Sequence, residues 1–220
     1  MKKSIWAIIA AKDEERHIFA VVKEARKYAD VVLVVDDGSR DQTKARAEKA
    51  RAMVLSHIVN MGKGVAIRTG CEYAIEKKAD ILILLDADGQ HEPKDIPKFV
   101  DALSGCEIVF GARVRRKSMP IVLKFGNWVI NSVAGILHGI HISDTQCGFR
   151  AMWSHTYPKV KWTASDYSME SEMLVNAGKK RLKYHEIPIS TIYGDKYKGT
   201  TVVDGIKIVL DMIWWKLTRW

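Results

Sequence analysis

Cysteine is scarce in this 220-residue chain: Cys71, Cys106 and Cys147 make an odd set with no CxxC pair. Such a set builds neither a disulfide framework nor a zinc site, and it fits a reducing compartment. Long apolar runs are also missing. The longest mostly apolar stretch, Phe125 to Leu137, has 13 residues, against the ~20 a helix needs to cross a bilayer. That segment reads as an interfacial or core helix. No leader is expected ahead of the first apolar run, because "IWAIIA" passes straight into the charged "KDEER" without a cleavage-like segment. The expectation is a protein that is cytoplasmic in its bulk. Internal repeats and low-complexity linkers are absent. So are RNP-like, zinc and basic-helix motifs, which argues against nucleic acid as a partner.

What is present is positive charge and a regular pattern. The formal net charge is +9, which attracts an anion of some kind: nucleic acid, anionic lipid or a phosphorylated substrate. An apolar content of 47% suffices for one large α/β domain or two small ones. The runs "IWAIIA" (5–10), "VVLVV" (31–35), "ILILL" (81–85) and "EIVF" (107–110) have the unbroken character of strands covered on both faces. Between them lie segments of helical period, such as Ile18, Val21, Val22, Ala25 and Tyr28. Over about the first 110 residues the chain therefore reads β-α-β-α-β-α-β, an α/β sheet with its ligands at the carboxyl ends of the strands.

Those ends are acidic: "AAKDEE", "DDGS" and "DADGQH". Any one cluster could merely shape a turn or cap a helix, but three meeting at one sheet edge point to a site. Asp86 and Asp88 stand two apart where the chain leaves a buried run. In a turn both can reach one ion, and oxygen ligands without a nearby His or Cys set favour Mg²⁺ or Mn²⁺. His91 and His185 have no partners at metal spacing and read as surface or hydrogen-bonded residues.

Taken in order, "AAKDEE", "VVDDGSRDQT", "NMGKGVAIRTG", "LLDADGQHEP", "GAR" and "DTQCGFRAM" resemble a family 2 glycosyltransferase of GT-A fold, near the dolichyl-phosphate mannose and glucose synthases. The resemblance spans about residues 4 to 200. It implies a Rossmann-like, mixed but mainly parallel sheet flanked by helices. It also implies transfer of a hexose from a nucleotide-diphosphate sugar, GDP-mannose or UDP-glucose or UDP-N-acetylglucosamine, to dolichyl or polyprenyl phosphate with inversion. The nucleotide side would fall to Ala10, Glu14, Asp36, Lys63, Asp86 and Ala87, and the metal to Asp86, Asp88 and Gln90. Arg113 would face phosphate, with Lys124 and Lys198 on the acceptor side. Two positions depart from the pattern: Lys12 stands where relatives carry an aromatic, and Lys124 where they commonly carry Arg, which forgoes bidentate geometry.

The acceptor chemistry follows from elementary considerations. A phosphate monoester has a second pKa near ~6, so it arrives largely ionised and needs no strong general base. Asp88, Arg113 and Asp144 are the expected catalytic residues, with Asp144 near the acceptor unless it only caps its loop, and Arg150 is structural or phosphate-facing. Of Glu170 and Glu172, two apart on one helix, only one can face the site, and neither is expected to be a base. "YGDKYKGTT", with Lys196, Lys198 and Thr200, has the composition of a lid.

The expected organisation is a glycosyltransferase domain over 1–200, with a donor half at 1–112 and an acceptor half at 113–200, followed by an amphipathic helix at 201–220. That helix carries Trp214, Trp215 and Trp220. Two readings of it stay open, docking on the core or lying on a membrane surface, the latter placing the protein peripherally on the cytosolic face, alone or with a membrane-protein partner. A soluble or protein acceptor, and a non-catalytic nucleotide-binding subunit, are the alternatives in function.

Overall fold

The computed structural model describes residues 2–113, 121–190 and 202–218, with side chains in the two later helices described from 129 and from 205 onward. Seven strands form one sheet: β1 (Ile5–Ala11), β2 (Val31–Asp36), β3 (Met53–Ser56), β4 (Ile81–Asp86), β5 (Ile108–Arg113), β6 (Arg150–Trp153) and β7 (Tyr184–Ile189). Their order is β3-β2-β1-β4-β6-β5-β7. All pairings are parallel except those of β6, which runs antiparallel between β4 and β5. The four apolar runs are strands, and β5 extends to Arg113. The sequence reading did not place β3, β6 and β7.

Because successive strand residues point to opposite faces, each buried strand contributes to two cores. Ile8, Leu33, Leu82, Leu84 and Phe110 face one side. There they meet α3 (Lys63–Glu76), α5 (Ile121–His138), α7 (Ser168–Lys179) and α8 (Val202–Thr218). Ala7, Ile9, Val34, Ile83 and Leu85 face the other, with α1 (Ile18–Ala25), α2 (Thr43–Lys49) and α4 (Ile96–Ala102). A short α6 (Tyr157–Val160) joins β6 to the α7 side. Each fully buried Ile or Leu in these strands stabilises by about 2 kcal/mol, and replacing Ile8, which has no exposed surface, by Asp would leave a carboxylate without water between sheet and α3.

Helix α8 docks on the core through one face. Ile208, Met212 and Trp215 are buried against the body of the protein, and the His138 ring nitrogen Nε2 lies 3.1 Å from the Met212 carbonyl. The opposite face leaves Ile206, Leu210, Ile213, Trp214 and Leu217 exposed. Among the described residues no helix is long and apolar enough to cross a membrane.

Candidate active site

Parallel register brings the strand ends level: Ala10 pairs with Asp86 across β1 and β4, and Ala11 with Asp36 across β1 and β2. A cleft of about 360 Å³ opens above them, a size suited to a small-molecule ligand. It is lined by Ala10, Glu14, Lys63, Asp86, Ala87, Asp88, Gln90 and Arg113, so most residues singled out from the sequence meet in one place.

Asp36 does not line it. Its carboxylate turns back to accept the Ser39 N–H at 3.2 Å, and the next residue, Asp37, reaches the cleft instead. Asp37 is buried and holds the adjoining loop: it accepts the N–H groups of Met61 (2.9 Å) and Gly62 (2.8 Å) and pairs with His57 Nδ1 at 2.7 Å. Lys12 lines the same wall, donating to the Gly38 carbonyl at 2.6 Å, so its ammonium ties the first strand's loop to the second's.

Lys63 sits at the start of α3. Its Nζ lies 2.6 Å from Asp86 Oδ1 and 2.8 Å from Glu170 Oε1, an ammonium between two carboxylates from β4 and α7. Burial disfavours the charged amine, but the two carboxylates outweigh it and raise the Lys63 pKa. Burial likewise works to raise Asp86, yet Lys63, His91 and Arg113 together hold it down to about 2. The position of Lys63 depends on two glycines. A side chain at Gly62 would collide with the Ser165 carbonyl, and one at Gly64 with that of Ala164, so only glycine lets the 164–165 backbone close over this helix end. There the Gly64 N–H donates to Ser165 O at 2.8 Å, and the buried Trp162 indole donates to Gly64 O at 2.8 Å.

After β4 the chain turns at Gly89, whose φ is +74°, and Asp88 Oδ1 accepts the Gln90 N–H at 2.9 Å. His91 is buried rather than at the surface. Its ring lies 5.7 Å from that of Phe149, its Nδ1 is 3.8 Å from Asp86 Oδ2 without a hydrogen bond, and burial pushes its pKa down. Among the described residues no three His, Cys, Asp or Glu side chains gather as a metal-ligand cluster. Two carboxylates and an amide at one turn suit a hard cation that takes its other ligands from substrate phosphate and water.

At the next strand end Arg113 and Asp144 form a fork: Nε to Oδ2 is 2.6 Å and Nη2 to Oδ1 is 2.9 Å. Burial alone would raise Asp144, but this guanidinium keeps its carboxyl below the usual range. Arg150, fully buried, donates to the carbonyls of Cys147, Glu170 and Thr145 at 2.7–2.9 Å; it is structural, holding the 145–147 loop to α7. Glu170 faces the cleft, whereas Glu172 turns away to accept from Thr163 and Ala164, as a two-residue step on a helix requires.

The family model described as "Glycosyl transferase family 2" matches residues 6–153, well over half of the chain. The chain belongs to glycosyl transferase family 2. This glycosyltransferase is 34% identical to the UDP-N-acetylglucosamine–dolichyl-phosphate N-acetylglucosaminyltransferase of Methanococcus voltae, over 99% of its own length and 98% of the relative's. It is 26% identical to the undecaprenyl-phosphate mannosyltransferase of Micrococcus luteus, over 86% and 84%. Among solved structures it is similar to glucosyl-3-phosphoglycerate synthase from Mycobacterium tuberculosis in complex with Mn²⁺, UDP and phosphoglyceric acid. That match has a TM-score of 0.77 and 19% identity, and covers 98% of this chain and 79% of that one. The mixed, mostly parallel sheet flanked by helices is the GT-A fold expected from the sequence.

Several positions of the glycosyltransferase escape this account or the sequence reading. The Lys124 side chain lies outside the described ones, and Lys196, Lys198 and Thr200 lie outside the described residues, as does the cationic run Arg115 to Lys117. Gln146 and Tyr167 line the cleft without having been singled out. Gly148, inside "DTQCGFRAM", carried a signal that could have been read: a glycine between polar residues and a strand marks a close approach, here to Asp86.

Proposed function

We propose that this glycosyltransferase moves a hexose from a nucleotide-diphosphate sugar to a polyprenyl or dolichyl phosphate, with inversion at the anomeric carbon, on the cytosolic face of a membrane. The observation that carries the reading is the single cleft in which Asp86, Asp88 and Gln90 face Arg113, an acidic turn and a fixed guanidinium either side of one space. The relatives' names, which pair nucleotide sugars and mannose with dolichyl and undecaprenyl phosphates, support the acceptor class.

In this reading Ala10, Glu14 and Asp37 bound the nucleotide, with Asp36 behind them as support for the turn. Asp86, Asp88 and Gln90 would hold Mg²⁺ or Mn²⁺; their hard oxygen atoms fit such an ion, which when bound neutralises charge on the diphosphate. Arg113, oriented by Asp144, stabilises the charge that develops on the departing diphosphate. An ionised phosphate oxygen of the acceptor forms the new bond to the anomeric carbon as the bond to the diphosphate breaks. No side chain must remove a proton, and Glu170 is occupied in holding Lys63. The exposed apolar face of α8 would rest on the membrane that carries the acceptor.

The test uses purified protein, Mn²⁺ and a panel of labelled nucleotide sugars, each with and without polyprenyl phosphate. Lipid-linked sugar should form from one donor class, only with lipid phosphate, and not with Asp88→Ala. Transfer that proceeds equally without lipid phosphate would overturn the acceptor assignment.

A further inference from the structure

At the far end of α7 from the catalytic cleft lies a second cavity, of about 780 Å³. The cationic side chains lining it are Lys179, Lys180 and Arg181, where α7 ends, and Lys216 of α8, with His138 and Tyr184 beside them; among the described residues no carboxylate side chain lines it. Cations at helix ends ordinarily offset the helix dipole, so that contribution needs weighing. Three helix C-termini, those of α5, α7 and α8, meet here, and at about −0.5 charge each they supply about −1.5. Lys180 and Arg181 alone bring two full positive charges against this. Burial lowers the His138 pKa, the contact with the Met212 carbonyl works against this, and the nearby charges of Lys179 and Lys216 add to the lowering. The place of one charge is fixed by α8 itself, since Lys179 Nζ donates to the Trp215 carbonyl at 3.0 Å.

The cavity adjoins the apolar strip of α8. Ile206, Leu210, Ile213, Trp214 and Leu217 follow helical spacing along one exposed face, and at 1.5 Å per residue the strip runs about 16 Å. One end lies beside the catalytic cleft, where Lys207 pairs with Asp166, a cleft residue. The other end, with Trp214 63% and Leu217 69% exposed, lies beside Lys216 and the cavity. A tryptophan-bearing apolar face flanked by lysine and arginine is the arrangement that suits a bilayer interface with anionic headgroups.

We propose that this cavity receives the phosphate of an anionic phospholipid headgroup while the apolar strip of α8 lies in the membrane interface, an anchoring point separate from the acceptor's phosphate in the cleft. The proposal rests on the membrane-surface reading of α8 but not on the transfer chemistry. With α8 in the interface plane, the cavity holds the far end of the strip, and the near end stands beside the cleft residue Asp166. A lipid-linked acceptor then meets the cleft from the membrane rather than from bulk water.

The experiment is sedimentation of the full chain with vesicles of phosphatidylcholine alone or with 30% phosphatidylglycerol, about half of the latter arms also containing inorganic phosphate. The vesicles hold no donor and no acceptor, so the result stands apart from whether hexose transfer occurs. Wild type is expected to prefer the anionic vesicles, and Lys180→Gln with Arg181→Gln to weaken that binding roughly tenfold while transfer to a detergent-dispersed acceptor is kept. Trp214→Ser with Leu217→Ser should lower binding to both vesicle types. Equal binding of wild type to both compositions, or an unchanged affinity in the Lys180 and Arg181 variant, would overturn the proposal. So would saturable binding of inorganic phosphate, lost in that variant, without any preference for anionic vesicles. Circular dichroism of each variant separates loss of binding from loss of fold.

Discussion

A β-carbon built on Gly148 would stand 2.5 Å from Oδ2 and 2.8 Å from Oδ1 of Asp86, so the bare backbone at 148 is what leaves room for that carboxylate. Gly148→Ala is therefore expected to push Asp86 away from Lys63 with little change to the core. A misplacement of the order of 1 Å near reacting groups can cost about 10²-fold in rate. Steady-state kinetics and a thermal melt on the same preparation check this: kcat/KM should fall by that order while Tm moves little.

Lys63 separates two carboxylates, and its loss exposes each to the other. Lys63→Met is expected to destabilise by about 3 kcal/mol, because Asp86 and Glu170 would be left without their shared cation. The pH dependence has a definite sign. The Asp86 carboxyl is held at about 2, below the ~3.9 of an unfolded chain, so its contribution is complete above about pH 4 and disappears as pH falls toward 2. In Lys63→Met the Asp86 carboxyl rises toward or past its unfolded value, because burial is no longer offset by that cation, so the acid-side loss shrinks or reverses. Urea denaturation at intervals between pH 2 and 7 compares the two proteins.

Asp144 holds Arg113 through two parallel hydrogen bonds, and an amide can accept only one of them. Asp144→Asn should lower kcat by roughly 10- to 100-fold, with a smaller change in donor KM, since the guanidinium's main task is on charge that develops during transfer. Arg113→Lys should behave similarly, because a lysine cannot reproduce the fork. Equal losses in kcat and in donor affinity would instead place Arg113 in ground-state binding.

Removal of divalent metal is expected to abolish transfer. Dialysis against EDTA should leave the fold intact by circular dichroism, and Mn²⁺ or Mg²⁺ should restore the wild type. Asp88→Ala should stay inactive at every metal concentration tried. Glu172→Gln, by contrast, alters a side chain that faces Thr163 and Ala164, so its effect should appear in stability, at about 1–2 kcal/mol, more than in metal dependence.

The strands visible in the sequence are those buried on both faces: β1, β2, β4 and β5 read as unbroken apolar runs. The edge strand β3 exposes Met53 and so lacks that pattern. Strand β6 has only four residues and begins with Arg150, a buried charge that no periodicity rule anticipates. In β7, His185, Glu186 and Pro188 break the run. The acidic turn was legible because its residues are neighbours in sequence. The pairing of Lys63 with Glu170 was not, because it depends on how α7 packs, nor was the burial of His91, which depends on Phe149. Asp36 and Asp37 are adjacent, and only the turn geometry decides which of them looks into the cleft.

The antiparallel strand β6 also has a consequence for biosynthesis. Strand β5 has no bond to β4 of its own, as every link between them passes through residues 150–153. A nascent chain that has emerged only through Arg113 can assemble β1 to β4 but has nowhere to attach its last strand. It also lacks the glycine against which the Asp86 carboxylate is seated. The acidic turn after β4 thus depends on residues 148 to 153, from the second half of the chain, both for the room its carboxylate occupies and for the strand that joins β4 to β5.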